Sequence, residues 1–400
     1  MIEIKDKKEC CGCGACAAIC PKGCIEMKRD SEGFAYPDIE MKSCINCGLC
    51  DKTCPIINLY EERPFEQKGY VVQHKNLQIL KESTAGGAFS AISKYVIDKD
   101  GLVFGVALSD TLMAYHTYVD KEEDLQLFRN SKYIQSFLGK NIYDTVKLFL
   151  NQGRLVCFSG TPCQIEGLKH YLKKDYENLV LVDVVCRAVP SPFVFKKYIE
   201  LKQSHLKEKI RKVRFRDKYY GYKYSTMNII TDKNNGNYHQ GVESDLWLRA
   251  FFSGMCNRPS CYDCKFKKQY RVSDFTIWDC FDVGRFTKKI DSDKGVTRVL
   301  IHTQKGRYIF SQVSKLLYFE EVKIEKLIAG TAEMKRSVQY NQKREEFMHD
   351  AEYMESDALF KKYFPQTCKN QIEHILRLLC YKIGIYGIAK KVYVRLTNKY

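Results

Sequence analysis

The chain has no run of about 18 apolar residues, the length a helix needs to cross a bilayer, so no membrane span is expected. It also lacks an apolar segment at its start. Its 19 cysteines therefore do not read as a secreted disulfide scaffold, and a reducing cytoplasm is the expected compartment. Acidic residues are in deficit, 48 against 65 basic, for a formal charge of +17. Such an excess favours anionic partners: an acidic carrier protein, a phosphorylated cofactor or a lipid surface. No recognised nucleic-acid motif accompanies the charge, so nucleic acid is not expected as a partner. At 400 residues and 45% hydrophobic content, the chain supports a sizeable core and two or three domains.

What is abundant is cysteine in one spacing. Cys10-x2-Cys13-x2-Cys16-x3-Cys20 precedes Pro21, and Cys44-x2-Cys47-x2-Cys50-x3-Cys54 precedes Pro55. This is the bacterial ferredoxin run for two [4Fe-4S] clusters, in which the fourth cysteine of each run reaches the other cluster. One cluster is then expected on Cys10, Cys13, Cys16 and Cys54, the other on Cys44, Cys47, Cys50 and Cys20. Zinc spacings come as separated pairs and do not close twice on Cys-Pro. Gly12, Gly14, Ala15 and Gly48 keep the loops small enough for backbone amides to approach the sulfides. Each oxidised cluster adds roughly −2, so three would lower the charge to about +11.

The pattern divides the chain into a ferredoxin module at 1–57, a polar linker at 58–68 broken by Pro64, a domain at 69–350 and a basic segment at 351–400. Helices are expected over Gly87–Asp98, Asn141–Asn151, Gln164–Lys173 and Ser191–Leu206, the last opened by Pro192. Strands are expected over Leu102–Leu108, Leu155–Phe158 and Leu179–Val185, with two more between Lys209 and Asp232. This βαβα order implies an α/β domain with a mixed or parallel sheet, and ligands bind at the strand ends of such sheets. The run Lys209–Arg216 is basic on one face, either solvated or docking an anion. The C-terminal third reads as helical and charged. In Lys369–Tyr400 the bases Lys369, Arg377, Lys382, Lys390, Lys391, Arg395 and Lys399 stand against Glu373 alone, with apolar residues at helical spacing. A helix of this kind lies on an anionic membrane surface, here the inner face, or packs on its own domain.

A second set of cysteines follows the module. Cys163 opens a helix after a strand, Cys186 ends a strand, and Cys261-x2-Cys264 forms a close pair. A lone Cys-x2-Cys is open among zinc, cluster and redox pair; the four together point to a third [4Fe-4S] cluster, with Cys256 a rival for one position. Cys157, Cys280, Cys368 and Cys380 read as buried small hydrophobes. Cys11 and Cys24 fall outside the ligand pattern.

Five stretches carry a family resemblance: Ser83-Thr84-Ala85-Gly86-Gly87, Gly160-Thr161-Pro162-Cys163-Gln164, Asp183 to Cys186, Arg258-Pro259-Ser260-Cys261 through Cys264, and Ser273-Asp274-Phe275-Thr276. Together with Ser131-Lys132-Tyr133 and Gln135-Ser136, they resemble the coenzyme F420 hydrogenase/dehydrogenase beta-subunit family. The resemblance implies a ferredoxin-like α+β module followed by an α/β domain that holds FAD and one further [4Fe-4S] cluster. It implies Cys163, Cys186, Cys261 and Cys264 as that cluster's ligands, and Thr84, Gly86, Gly87, Ser131, Lys132 and Tyr133 at the flavin. Thr84 to Gly87 precedes a helix, whose amides and dipole suit a pyrophosphate. The family's Cys-His-Gly is replaced by Cys186-Arg187-Ala188, and its Asp-Phe-Trp-Gly by Asp279-Cys280-Phe281-Asp282. Arg187 cannot shuttle a proton but would stabilise an anionic reduced flavin; it and Lys132 are the expected catalytic residues. The expected function is an iron-sulfur flavoprotein oxidoreductase that takes electrons from a redox partner protein, a ferredoxin or reductase, and exchanges hydride with a small-molecule acceptor, F420-like or other. The alternative is an electron-transfer subunit that relays to a partner enzyme or membrane complex.

Overall fold

The structure is a computed structural model that describes residues 2–233, 238–389 and 392. The N-terminal module contributes β1 (Ile25–Arg29) and β2 (Ala35–Ile39), an antiparallel pair, and two short helices, Ala15–Ile19 and Leu49–Thr53. The chain then builds β3 (Lys68–His74), β4 (Leu102–Leu108), β5 (Ala114–Val119), β6 (Val156–Gly160) and β7 (Leu179–Val184). A small antiparallel sheet of β8 (Ile210–Asp217), β9 (Thr226–Thr231) and β10 (Tyr238–Gln240) follows. Finally β11 (Phe275–Asp279), β12 (Thr297–Ile301) and β13 (Leu317–Glu321) return to the main sheet, whose order is β13-β3-β12-β11-β7-β6-β4-β5. Strands β4, β6, β7 and β11 run parallel; the outer pairings are antiparallel.

The continuous apolar run of β7 is explained by burial on both faces, as expected for a parallel strand covered by helices. Side chains alternate across the sheet. Val180 and Val182 pack with Ala91, Ile92 and Val96 of the helix Ala88–Ile97 on one face. Leu179 and Leu181 pack with Tyr143, Val146, Ile165 and Leu168 of the helices Lys140–Asn151 and Pro162–Leu172 on the other. A further core joins Phe195 and Tyr198, on the helix Pro192–Leu206, to Phe215, Trp247 and Phe360.

Two sequence expectations need correction, one on the C-terminal third and one on Cys368 and Cys380. The C-terminal third is not uniformly helical, because β12 and β13 pair on either side of β3. They are short, and β13 leaves Tyr318 and Phe319 exposed at the sheet edge, so neither carries a long apolar run. The linker at 58–68 is packed against the domain that follows. Tyr60 stacks on His170, Glu62 accepts from the Gln269 and Tyr270 amides, and Gln67 is buried beside His302. Cys368 is exposed and Cys380 half-buried, whereas Cys157 and Cys280 are buried as expected. Residue 350 lies within the helix Arg344–Tyr353. Among the described residues no helix is long and apolar enough to cross a membrane.

Candidate functional site

In the N-terminal module the cysteines fall into two neighbourhoods. Burial and the nearby Cys10 and Cys54 thiols push the Cys16 thiol up. Cys54 is raised by burial, with Cys10 adding to it. Cys13 lies in the same group: the Cys11 hydrogen bond lowers it, and burial, Cys16 and Cys10 outweigh that. Cys20, Cys44, Cys47 and Cys50 line one apolar pocket. Cys24 lines it too, with its sulfur 3.3 Å from that of Cys20.

The second set converges through sheet topology. Gly160 at the end of β6 pairs with Asp183 near the end of β7. The loops that carry Cys163 and Cys186 therefore leave the carboxyl ends of adjacent parallel strands, where ligands bind in such sheets. Arg258 N–H donates to Val189 O at 2.8 Å, and Asn257 bridges Pro190, which brings the turn Pro259–Asp263 with Cys261 against the Cys186 loop. Burial pushes Cys186 up to about 12, and Cys163 and Cys264 reinforce the rise. Burial also raises Cys261, with Cys186, Cys264 and Cys163 adding to it. Four thiols that disfavour one another's ionisation share one neighbourhood, a donor set that suits a cationic core able to hold them as thiolates. Among the described residues, no group of three or more His, Cys, Asp or Glu side chains closes on a point as the ligands of a single ion would. Cys256 is not part of the group: its thiol is buried beside Ala250 O at 3.5 Å, in the core around Trp247.

Surrounding groups hold this site in shape. Lys267 Nζ donates to the carbonyls of Cys186, Arg187 and Glu333. Arg271 Nη1 donates to Asp183 Oδ1 at 3.0 Å and to Val184 O at 3.2 Å. Burial raises the Asp183 carboxyl, while Arg271 opposes the rise. Val189 N–H points at Cys261 Sγ at 3.3 Å, and Thr161 Oγ1 lies 3.1 Å from Cys163 Sγ.

Two residues that the sequence did not single out connect the module to this site. The Cys11 thiol lies close enough to those of Cys13 and Cys163 for each to shift its ionisation, which places it between the two cysteine groups. Arg258, fully buried, donates from Nε to Cys10 O at 2.8 Å and from Nη2 to Ala35 O at 2.9 Å, and lies 4.2 Å over the Tyr36 ring. It also explains Gly12: a Cβ there would sit 2.7 Å from Arg258 Nη1, and φ is +70°. Gly12 is therefore needed for the fit of the guanidinium as well as for the turn.

The loops expected at the flavin also meet. Thr84 Oγ1 accepts from Ser131 N–H at 2.7 Å and lies 3.0 Å from Ser131 Oγ. Gly86 plays a different part from the one the sequence suggested. Its N–H donates to Thr297 Oγ1 at 2.7 Å, and a Cβ would meet Val72 O at 2.2 Å, so its amide and its small size serve the packing on β3 and β12. Gly87, with φ +81°, starts the helix Ala88–Ile97. Tyr133 stacks on Phe251 at 4.7 Å, Phe251 meets Phe252, and Arg187 lies 5.4 Å over Phe252. This aromatic pair spans the gap between the Ser131–Tyr133 loop and the cysteine site.

The loops lie in a strongly basic neighbourhood. Arg216 donates to Tyr133 Oη and to Asp279 Oδ2, and lies 5.0 Å over Phe281. The departures at 279–282 thus find local partners, since Asp282 pairs with Arg298. Lys132 Nζ donates to Leu127 O and Arg129 O, which leaves one N–H. Burial, with Arg214 and Lys212 nearby, holds its pKa down at about 7. Arg187 Nε and Arg216 Nη2 are buried without a hydrogen-bond partner, and unpaired buried donors of this kind suit an anionic ligand. The residues therefore fit the phosphate-bearing part of a dinucleotide.

Two family models match the two parts of the chain. Residues 9–56 match the model of the 4Fe-4S dicluster domain, and residues 153–327 match that of the C terminus of the coenzyme F420 hydrogenase/dehydrogenase beta subunit. Over residues 153–327 the chain is similar to that beta-subunit family. It is an iron-sulfur, electron-transfer protein related to an oxidoreductase subunit family. No curated protein matches it. Among solved structures, a chain of the xenon-derivatised F420-reducing [NiFe] hydrogenase complex from Methanosarcina barkeri is 16% identical, covering 75% of this chain and 94% of that one at a TM-score of 0.43. A likeness that loose carries no detail of this beta-subunit relative's site.

Proposed function

We propose that this protein is an iron-sulfur flavoprotein oxidoreductase with three [4Fe-4S] clusters and FAD, exchanging electrons with a redox partner protein and hydride with a small organic acceptor. The observation that carries the reading is continuity: Cys11 joins the module to the second cysteine site, and Phe251 and Phe252 join that site to the basic loops. Clusters pass single electrons and a flavin exchanges one or two, so FAD between clusters and acceptor would convert one currency to the other. Cys163, Cys186, Cys261 and Cys264 would hold the core cluster. Thr84, Gly87, Ser131, Lys132 and Tyr133 would bind and orient the flavin, with the Gly86 amide already engaged by Thr297. Arg187, held by Glu333 at 3.2 Å and by Phe252 O at 3.3 Å, would present its unpaired Nε toward negative charge on the flavin or acceptor.

The test is anaerobic purification with iron, acid-labile sulfide and flavin counted per chain. About twelve irons and one FAD are expected; about eight irons and no flavin, even after incubation with FAD, would defeat the reading. The likeness of residues 153–327 to a beta-subunit family favours a second reading, a relay without its own substrate. Turnover of a small acceptor by the purified chain separates the two.

A pH dependence follows from Lys132. An anion binds best to the charged ammonium, so in the flavin-free protein FAD affinity falls as pH rises through about 7, by up to about tenfold per pH unit. Binding above that pH takes up a proton. Flavin-fluorescence titrations across this range check it: Lys132→Met is expected to flatten the profile, and a wild-type affinity independent of pH would contradict the role.

A further inference from the structure

The helix Cys368–Lys382 is mounted with its polar side inward. His374 Nδ1 lies 2.8 Å from Glu243 Oε1, Asn370 donates to Glu243 O, and Arg377 bridges Glu373 and Tyr386 Oη. Tyr381 meets Tyr220, and Tyr386 stacks on Tyr224 at 4.8 Å. The opposite side carries Ile372, Ile375, Leu376, Leu379 and Ile383, each 50–66% exposed. This is an i, i+3, i+4, i+7, i+11 stripe along one face. Amphipathic surface helices turn such a stripe to the core; this one turns it to the outside. Ile388 and Val392 continue the exposed apolar surface beyond the helix.

We infer that this face docks on an anionic lipid surface, with the stripe entering the boundary between headgroups and acyl chains. Charge favours that occupant. Lys369 and Lys382 are exposed at the two ends of the stripe, and the one acidic residue of the segment, Glu373, is already paired with Arg377. In sequence, Lys390, Lys391, Arg395 and Lys399 follow, outside the described residues. Basic residues beside an apolar helix face are what anionic headgroups attract. A second copy is disfavoured on two counts: each chain carries +17, and the stripe is shorter than the three or four heptads that sustain a coiled coil. The docking face is far in sequence from every cluster and flavin residue proposed above, so its fate is independent of that reading.

The experiment is sedimentation of the full chain, purified anaerobically, with phosphatidylcholine vesicles made with or without phosphatidylglycerol. Binding is expected to be about tenfold or more tighter on the anionic vesicles and to weaken with salt. The double variant Ile375→Glu, Leu379→Glu changes only exposed positions; it should keep the wild-type iron content and melting profile yet lose vesicle binding. The proposal is overturned if wild type ignores anionic vesicles or if the double variant binds as well as wild type. It is equally overturned if wild type is a dimer that the variant dissolves with no vesicle binding in either, which would make the face an interface between copies. Capture of the wild type by one purified protein partner without vesicle binding would likewise defeat it.

Discussion

Cys186→Ser is expected to remove about four of about twelve irons per chain and to leave the N-terminal eight. Cys186 stands just past β7, where its loop is clamped by Lys267 and Arg271 on backbone carbonyls. Those clamps do not involve the thiol, so serine should leave the loop in place and remove one ligand. A serine hydroxyl is a poorer ligand than a thiolate, and the remaining three thiols are pushed up by burial and by one another, Cys163 first of all by its Cys11 hydrogen bond. They would return to the protonated form once the cationic core is gone. Cys256→Ser is the internal control: that thiol sits apart, by Ala250 O, and its loss should leave every iron. Iron and sulfide counts, with the low-temperature EPR of the reduced protein, read both variants. Unchanged iron in Cys186→Ser would remove this residue from the ligand set; loss of all iron would show that the sites assemble as one unit.

The second large effect concerns Arg258, at the seam between module and core. Arg258→Met would leave the carbonyls of Cys10 and Ala35 without their charged donor and remove the cation from the Tyr36 ring. Hydrogen bonds from a charged donor to buried carbonyls contribute about 1.5–3 kcal/mol each, so a loss of about 3–6 kcal/mol in the docking of the module is expected. Differential scanning calorimetry and limited proteolysis between residues 57 and 68 would register it as an earlier, separate transition. Burial opposes the guanidinium's charge, but Cys10, Tyr36, Cys11 and Cys261 hold it protonated. Because it faces thiols of both cysteine groups, its removal should also make the clusters harder to reduce, a negative shift in midpoint potential. Arg258→Lys keeps the charge and loses the two-pronged geometry, so it should recover the potential better than the stability. Wild-type melting and potentials in Arg258→Met would exclude both roles.

How far these sites were legible from sequence depends on the range of the interaction. The dicluster module was readable because its cysteine spacing is local and each run closes on Cys-Pro. β4 was readable to its end residues, and the helix Pro192–Leu206 by its Pro192 start, since both are set by signals within one segment. The strands β12 and β13 were not: five residues each, they are held by β3, more than 200 positions earlier in the chain. Gly86 shows the limit within a motif. Its place before a helix suggested a phosphate cradle, but contacts with Val72 and Thr297 occupy it.

The sequence by itself determined what chemistry the chain holds: two cluster runs, four further thiols, a basic surplus and a C-terminal stripe with its charges. Tertiary structure alone decided where these meet. Adjacent parallel strands bring Cys163 to Cys186, the backbone pairing at Val189 and Pro190 delivers Cys261, and packing of the module sets Cys11 and Arg258 between the two groups. It also decided that the last helix turns its apolar face outward, because buried Glu243 claims His374 and Arg377. Spacing along the chain encodes local ligand sets and helix faces; only packing across hundreds of residues selects which neighbour each face receives.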